Sequence, residues 1–234
     1  MKTRLPFPIL FEDRDVIVIE KPAGMLTTAT RAKESNTAEE WLNDYVRKGQ
    51  AKSRKRVWLV HRLDRETSGV MMFSKSEEVA ETFRANWNEL TEKTYLARVE
   101  GELAETHGVF ESYLQEDADG YKVHSVPQPL KPLKRFKPLN LPKLARTEWR
   151  KLSVEDGTTL VEVTLKSGRK NQIRVHFSEA GHPVVGDVKY GGQKASRLYL
   201  HSVRLRFRHP HTGGWMEFRS EFDTIRGNDR RNGK

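Results

Sequence analysis

His61-Arg62-Leu63-Asp64-Arg65-Glu66-Thr67-Ser68-Gly69 is a polar loop set between two short apolar runs, Val57 to Val60 and Gly69 to Ser74, each β-rich enough to be a strand. A charged loop held between strands has few reasons to exist in a core, and loops of this kind tend to carry function. After Ser74, Ser76 reads as an N-cap, and Val79, Phe83, Trp87 and Leu90 form one stripe of a following helix. Upstream, Ile9 to Phe11, the polar turn Glu12 to Asp15, and the β-branched run Val16 to Ile19 read as a hairpin that Lys21-Pro22-Ala23-Gly24 terminates. Thr37 can cap a helix in which Trp41, Leu42 and Tyr45 share a face. Downstream, Thr94 to Val99, Thr159 to Leu165, and the stretch holding Leu198, Leu200, Val203 and Leu205 predict further strands. Between the last two, Lys170 to Ala180 predicts a helix with Ile173, Phe177 and Ala180 on its buried face, Arg174 beside that face, and Gly181 as its stop.

Short strands with scattered helices predict an α+β fold: a mixed, mostly antiparallel central sheet with flanking helices and loops. One domain is expected over residues 1–225, any division into lobes falling near a basic loop at about 122–146, with a basic disordered tail at 226–234. A chain of 234 residues can bury an adequate core without staples, and with no Cys it has neither disulfides nor thiolate metal sites. The N-terminus lacks the apolar core of a signal peptide, and no stretch approaches the roughly 20 apolar residues of a spanning helix, so a soluble, cytoplasmic, monomeric protein with no membrane partner is expected.

Lys and Arg number 42 against 32 Asp and Glu, a formal charge of +10 that favours a polyanionic partner. The charge is clustered. Arg47, Lys48, Lys52, Arg54, Lys55 and Arg56 lie in one stretch without an acidic residue, just before the quoted loop; Lys131, Lys134, Arg135, Lys137 and Lys143 alternate with Pro132, Pro138, Pro142 and Phe136 in another. Such acid-free loops suit phosphate contacts, so RNA is the expected partner.

Within the quoted loop, Asp64 lies between Arg62 and Arg65. A guanidinium approaching it would keep it ionised, and an ionised carboxylate can act as a nucleophile. The same residue could merely brace a turn. His201, His209 and His211 lack the spacing of metal ligands and read as a turn around Pro210, so no metal is expected.

The loop resembles the signature H-R-L-D-x-x-T-S-G of the RluA-type RNA pseudouridine synthases, and His61, where the related RsuA-type branch has Gly, supports that branch. Three further segments are similar in order. Lys21 to Gly24 matches the family's K-P-x-G turn, and Lys93 to Gly101 its K-x-Y-x-A-x-V-x-G strand. Leu165 through Gly191 matches its third block, with Gln172-Ile173-Arg174-Val175-His176, Gly186-Asp187 and Tyr190-Gly191 in register; Leu198 to His201 matches its closing strand. Asn171 departs from the family, where many members have His, and bears on either a local hydrogen bond or an RNA contact. With the K-P-x-G turn starting at Lys21, the resemblance is to compact members lacking an N-terminal RNA-binding module.

The resemblance implies the fold of that family and an isomerase that needs no cofactor. It implies Asp64 as the catalytic carboxylate, Tyr95 as the aromatic residue against the target base, Arg174 as the cation paired with Asp64, and Leu200 closing the pocket. The target nucleotide would be flipped out of folded ribosomal or transfer RNA, with His61, Arg62 and Arg65 as candidates for wedging and phosphate contact. Tyr95 has a competing role as a core strand residue. Two other readings compete with this one: a glycoside hydrolase, which needs a second carboxylate, and a non-catalytic RNA-binding protein on the same fold.

Overall fold

The computed structural model describes residues 4–29, 35–50, 52–128 and 141–220; most of the Pro- and Lys-rich stretch, residues 129–140, and the basic tail lie outside the described residues. The chain forms two compact units, Met1–Thr94 with Leu200–Lys234, and Tyr95–Tyr199. The division therefore falls inside one strand and at the start of another, not near the basic loop as expected, because the last segment of the chain returns to the first unit.

In the first unit, β1 (Ile9–Glu12) and β2 (Val16–Lys21) form the expected hairpin, and β2 pairs antiparallel with β4 (Ser68–Ser74), as does the short β3 (Trp58–Leu59). β4 in turn lies parallel to β10 (Leu200–Arg208), through His201 opposite Ser68 and Ser202 opposite Gly69, and β10 pairs antiparallel with β11 (Trp215–Arg219). Helix α1 (Ala38–Arg47) starts at a capping box, Thr37 accepting from the Glu40 N–H while the Glu40 side chain accepts from the Thr37 N–H. The stripe expected to run through Leu90 is split into α2 (Glu77–Ala85) and α3 (Trp87–Leu90), because Asn86 leaves helical geometry and its side chain bonds the Thr82 carbonyl. Val16, Val18, Val70, Met72, Phe83, Leu205 and Phe207 form the core between sheet and helices.

The second unit takes up β5 (Thr91–Glu100) at Tyr95 and continues with β6 (His107–Glu116), β7 (Val123–Val126), β8 (Lys143–Glu155) and β9 (Thr158–Leu165). The strand order is β5-β9-β8-β6-β7, with β8 antiparallel to both β9 and β6, and β6 antiparallel to β7. Helix α4 (Gln172–Glu179) packs on β8 and β7, with Val175 in a cluster with Leu114, Val123, Ala145 and Tyr190. A 3-10 turn, Val188–Tyr190, follows. β4 with β10 is the one parallel pairing described, so the sheet is mixed and mostly antiparallel, as expected.

Asp13, Asp15 and His209 converge in the first unit. His209 Nε2 donates to Asp13 at 2.6 Å, and its Nδ1 accepts from the amides of His211 and Thr212 at 3.3 and 3.2 Å. Both ring nitrogens are thus in use, and the group acts as a clasp between β1–β2 and the turn after β10, in line with the turn reading of His209 and His211; His201 instead lies within β10.

Candidate active site

The loop before β4 is held by backbone and buried polar bonds. Thr27 Oγ1 donates to the Leu63 carbonyl at 2.8 Å and accepts from the Leu63 N–H at 3.2 Å, while the Leu63 side chain is buried. Gly24 N–H donates to the Arg65 carbonyl at 2.9 Å. Lys21, fully buried, aims its ammonium at three carbonyls, those of Pro22, Met25 and Arg65, at 2.9, 2.7 and 3.2 Å. Such a cation is tolerated because oriented carbonyl dipoles replace its water. The Lys21-Pro22-Ala23-Gly24 turn is therefore the floor on which the Asp64 loop rests. Thr67 N–H closes the loop by donating to the Asp64 carbonyl at 3.2 Å.

Asp64 itself is half-buried at the crest of this loop, with Arg62 and Arg65 exposed on either side. Arg65 Nε donates to the Gly24 carbonyl at 3.3 Å, and its guanidinium otherwise faces solvent. His61 has a different task from the phosphate contact expected of it. Its ring stacks on Trp87, with centroids 4.5 Å apart, and its Nε2 accepts the Met72 N–H at 3.1 Å. Burial, reinforced by the charge of Lys93, pushes its pKa down to about 3. A neutral, accepting imidazole cannot attract phosphate by charge, so His61 anchors the loop's first residue to β4.

The other end of the loop enters β4 at Ser68, whose hydroxyl meets His201 Nδ1 at 2.7 Å. His201 Nε2 meets Ser220 Oγ at 2.8 Å, and that hydroxyl donates to Glu20 at 2.7 Å. This buried polar chain ties β2, β4 and β10 together beside Leu200, which is 4% exposed at the first position of β10. Gly69 is required by the parallel pairing: its φ is +115°, and a Cβ there would lie 2.2 Å from the Ser202 carbonyl oxygen.

In the second unit, Tyr95 is buried in β5, a position compatible with both roles weighed for it. Arg174, on α4, is fixed by a fork. Its Nε and Nη2 donate to the two carboxylate oxygens of Asp187 at 2.6 and 2.7 Å, its Nη1 donates to Asn171 Oδ1 at 3.1 Å, and its guanidinium lies 5.0 Å from the Tyr190 ring centre. Asn171 then donates through Nδ2 to the Tyr190 hydroxyl at 2.9 Å. Of the two consequences open for Asn171, the structure shows the local hydrogen bond: the residue is 6% exposed, and it occupies the left-handed region with φ of 54°, which Asn tolerates well. Gln172 and His176 pin the same helix to β8, Gln172 through the Arg146 carbonyl and Thr147, His176 through Thr147 Oγ1 at 2.8 Å.

Sequence reasoning missed Asp187 as the partner of Arg174, and missed Lys21 and Thr27 as supports of the loop. Asp187 lay within a quoted family segment, but nothing in a spacing of thirteen residues shows that its carboxylate reaches that guanidinium. The acid-free cluster before the loop is not acid-free in space, since Arg56 meets Glu39 at 3.7 Å and lies over Trp58 at 4.2 Å.

The sequence model of the RNA pseudouridylate synthase family matches residues 15–179, most of the chain and parts of both units. The chain belongs to the RNA pseudouridine synthases. It is 33% identical to the dual-specificity RNA pseudouridine synthase RluA of Yersinia pestis, over 91% of this chain and 98% of that one. It is 31% identical to tRNA pseudouridine synthase C of Vibrio cholerae, covering 93% and 91%. In fold it is similar to human RNA pseudouridylate synthase domain containing 4, with a TM-score of 0.70 over 93% of this chain and 89% of that chain at 20% identity. As a pseudouridine synthase the chain is an isomerase that converts uridine in RNA to pseudouridine, as the resemblance of its motifs implied.

Proposed function

We propose that this pseudouridine synthase acts on structured ribosomal or transfer RNA in the cytoplasm, as a monomer in which residues 1–225 form one catalytic domain, with Asp64 as the catalytic carboxylate. The observation that carries the proposal is the construction of the Asp64 loop: a charged crest, with Asp64 half-buried between the exposed Arg62 and Arg65, on a floor fixed by Lys21, Thr27 and His61. A loop that only braced a turn would not need so rigid a support, whereas a reacting group must be held within fractions of an ångström.

The reaction breaks the bond from C1′ of the ribose to N1 of uracil, turns the base, and joins C1′ to C5; the proton lost from C5 is balanced by one gained at N1. No electrons are gained or lost overall. An anionic Asp64 serves either by attacking C1′ or by stabilising positive charge there while a sugar proton leaves. Tyr95 is the face for the uracil ring and Arg174 the cation of the reaction, its guanidinium oriented by Asp187 and Asn171. Arg62 and Arg65 contact phosphates that flank the flipped nucleotide, and Leu200 supplies apolar wall. The names of relatives support both substrate classes, transfer RNA through the tRNA pseudouridine synthase of Vibrio cholerae and ribosomal RNA through a ribosomal large subunit pseudouridine synthase of Nitrosomonas europaea, 31% identical to this chain.

Mapping pseudouridine by chemical labelling and sequencing, after incubating the purified chain with unmodified total RNA, tests the substrate. Discrete new sites in ribosomal or transfer RNA are expected; sites confined to other RNAs would reject the assignment.

A further inference from the structure

The solvent face of the β10–β11 hairpin lies outside the site described above and has an unusual make-up. Alternation along β10 sends Leu205 and Phe207 into the core and Arg204, Arg206 and Arg208 outward. Across the ladder they stand opposite Arg219, Glu217 and Trp215 respectively. Trp215, 37% exposed, carries two cations, with Arg206 4.4 Å and Arg208 5.1 Å from its ring centre. Carboxylates do not balance this face. Glu217 is shared by Arg204 at 3.2 Å and Arg219 at 2.7 Å, and Glu92 takes Arg206 at 3.0 Å. Arg208 has no carboxylate partner among the described residues, and two acids thus face four guanidiniums.

We propose that this face, centred on Arg206, Arg208 and Trp215, is a second RNA-binding surface that holds the phosphate backbone of the substrate away from the modified nucleotide. The inference rests on the reading of the chain as an enzyme of structured RNA. A guanidinium lying on an indole keeps its in-plane N–H donors directed outward, and the stack fixes a side chain that would otherwise lose entropy on binding. Planar donors with surplus positive charge match phosphate oxygens, and the charged rim suits neither an apolar protein partner nor a lipid interior. From Leu200 to Arg208, at about 3.3 Å per residue, β10 spans roughly 26 Å. The RNA must therefore extend some 20 Å or more beyond the target, so the surface favours large folded RNAs over isolated loops.

The test compares two RNAs that share one modified uridine: a long transcript, and a stem-loop trimmed to the loop and its closing base pairs. For the Arg206→Ala/Arg208→Ala protein, Kd for the long transcript is expected to rise about tenfold, and the slope of log Kd against log salt to fall by about 1.5. Its Kd and kcat on the trimmed RNA stay within about twofold of wild type. The Arg206→Lys/Arg208→Lys protein, which keeps the charge and the fold, retains the salt slope but loses part of the affinity. Trp215→Ala, with no charge removed, weakens the long transcript alone. Unchanged affinity and slope for the long transcript, or equal weakening of both RNAs, overturns the proposal while leaving the enzyme reading intact. A wild-type protein that modifies neither RNA defeats the enzyme reading, and this inference with it.

Discussion

Arg174 and Asp187 are both largely removed from water, and their two parallel hydrogen bonds make a pair that is costly to break from one side. Asp187→Asn keeps the volume but removes the charged acceptor of both these hydrogen bonds; a loss of roughly 3 kcal/mol in urea unfolding is expected, as for other buried pairs missing one partner. Activity should fall with it, because the cation loses its orientation. His61 gives a second prediction at this scale. Its imidazole is neutral in the folded protein, with a pKa near 3, and titrates near 6.5 when unfolded. Between these values the unfolded chain binds the extra proton, so the contribution of His61 is complete above about pH 6.5 and is lost as pH falls towards 3. His61→Gln should therefore show a flatter decline of stability across that window than wild type, measured by denaturant titration at a series of pH values; parallel declines would contradict the assigned role. The identity of Asp64, Tyr95 and Arg174 as candidates was legible from motif and chemistry. Their supports were not, because hydrogen-bond partners 13 to 44 residues away leave no periodic trace in a sequence.

Among the elements, strands that bury β-branched residues, such as Val16 to Ile19 and Thr159 to Leu165, were readable from pattern. β8 was not. Its inward positions are Ala145, Thr147 and Trp149, a small, a polar and an aromatic residue, set between Arg146, Glu148 and Arg150 facing out, so the period of two carries little apolar contrast. The candidate loop is itself an element whose geometry can be tested. Thr27→Val removes both bonds to Leu63 with little change of shape, and should cost about 1–3 kcal/mol by leaving a buried amide and carbonyl unsatisfied. Its kcat should fall more than its affinity for RNA; an unchanged kcat would show that the floor of the loop does not position Asp64. Gly69→Ala should be harsher, with the β4–β10 pairing forced apart and a stability loss of about 3 kcal/mol or more, read from thermal unfolding.

At the scale of the molecule, the first unit is assembled from both ends of the chain, with β10 and β11 completing a sheet begun by β1, β2 and β4. No local signal announces such a return, which explains why the expected lobe boundary was misplaced. The surplus of ten positive charges, in contrast, was readable directly and matches a protein whose substrate is a polyanion. Family membership fixes the reaction, and the central remaining claim is that Asp64 performs it. The most direct measurement is pseudouridine formation by wild-type and Asp64→Ala proteins on the same unmodified RNA, with binding measured in parallel. A rate loss of more than about 10⁴-fold with RNA affinity retained is predicted; pseudouridine formed at a comparable rate by the Asp64→Ala protein would contradict the account.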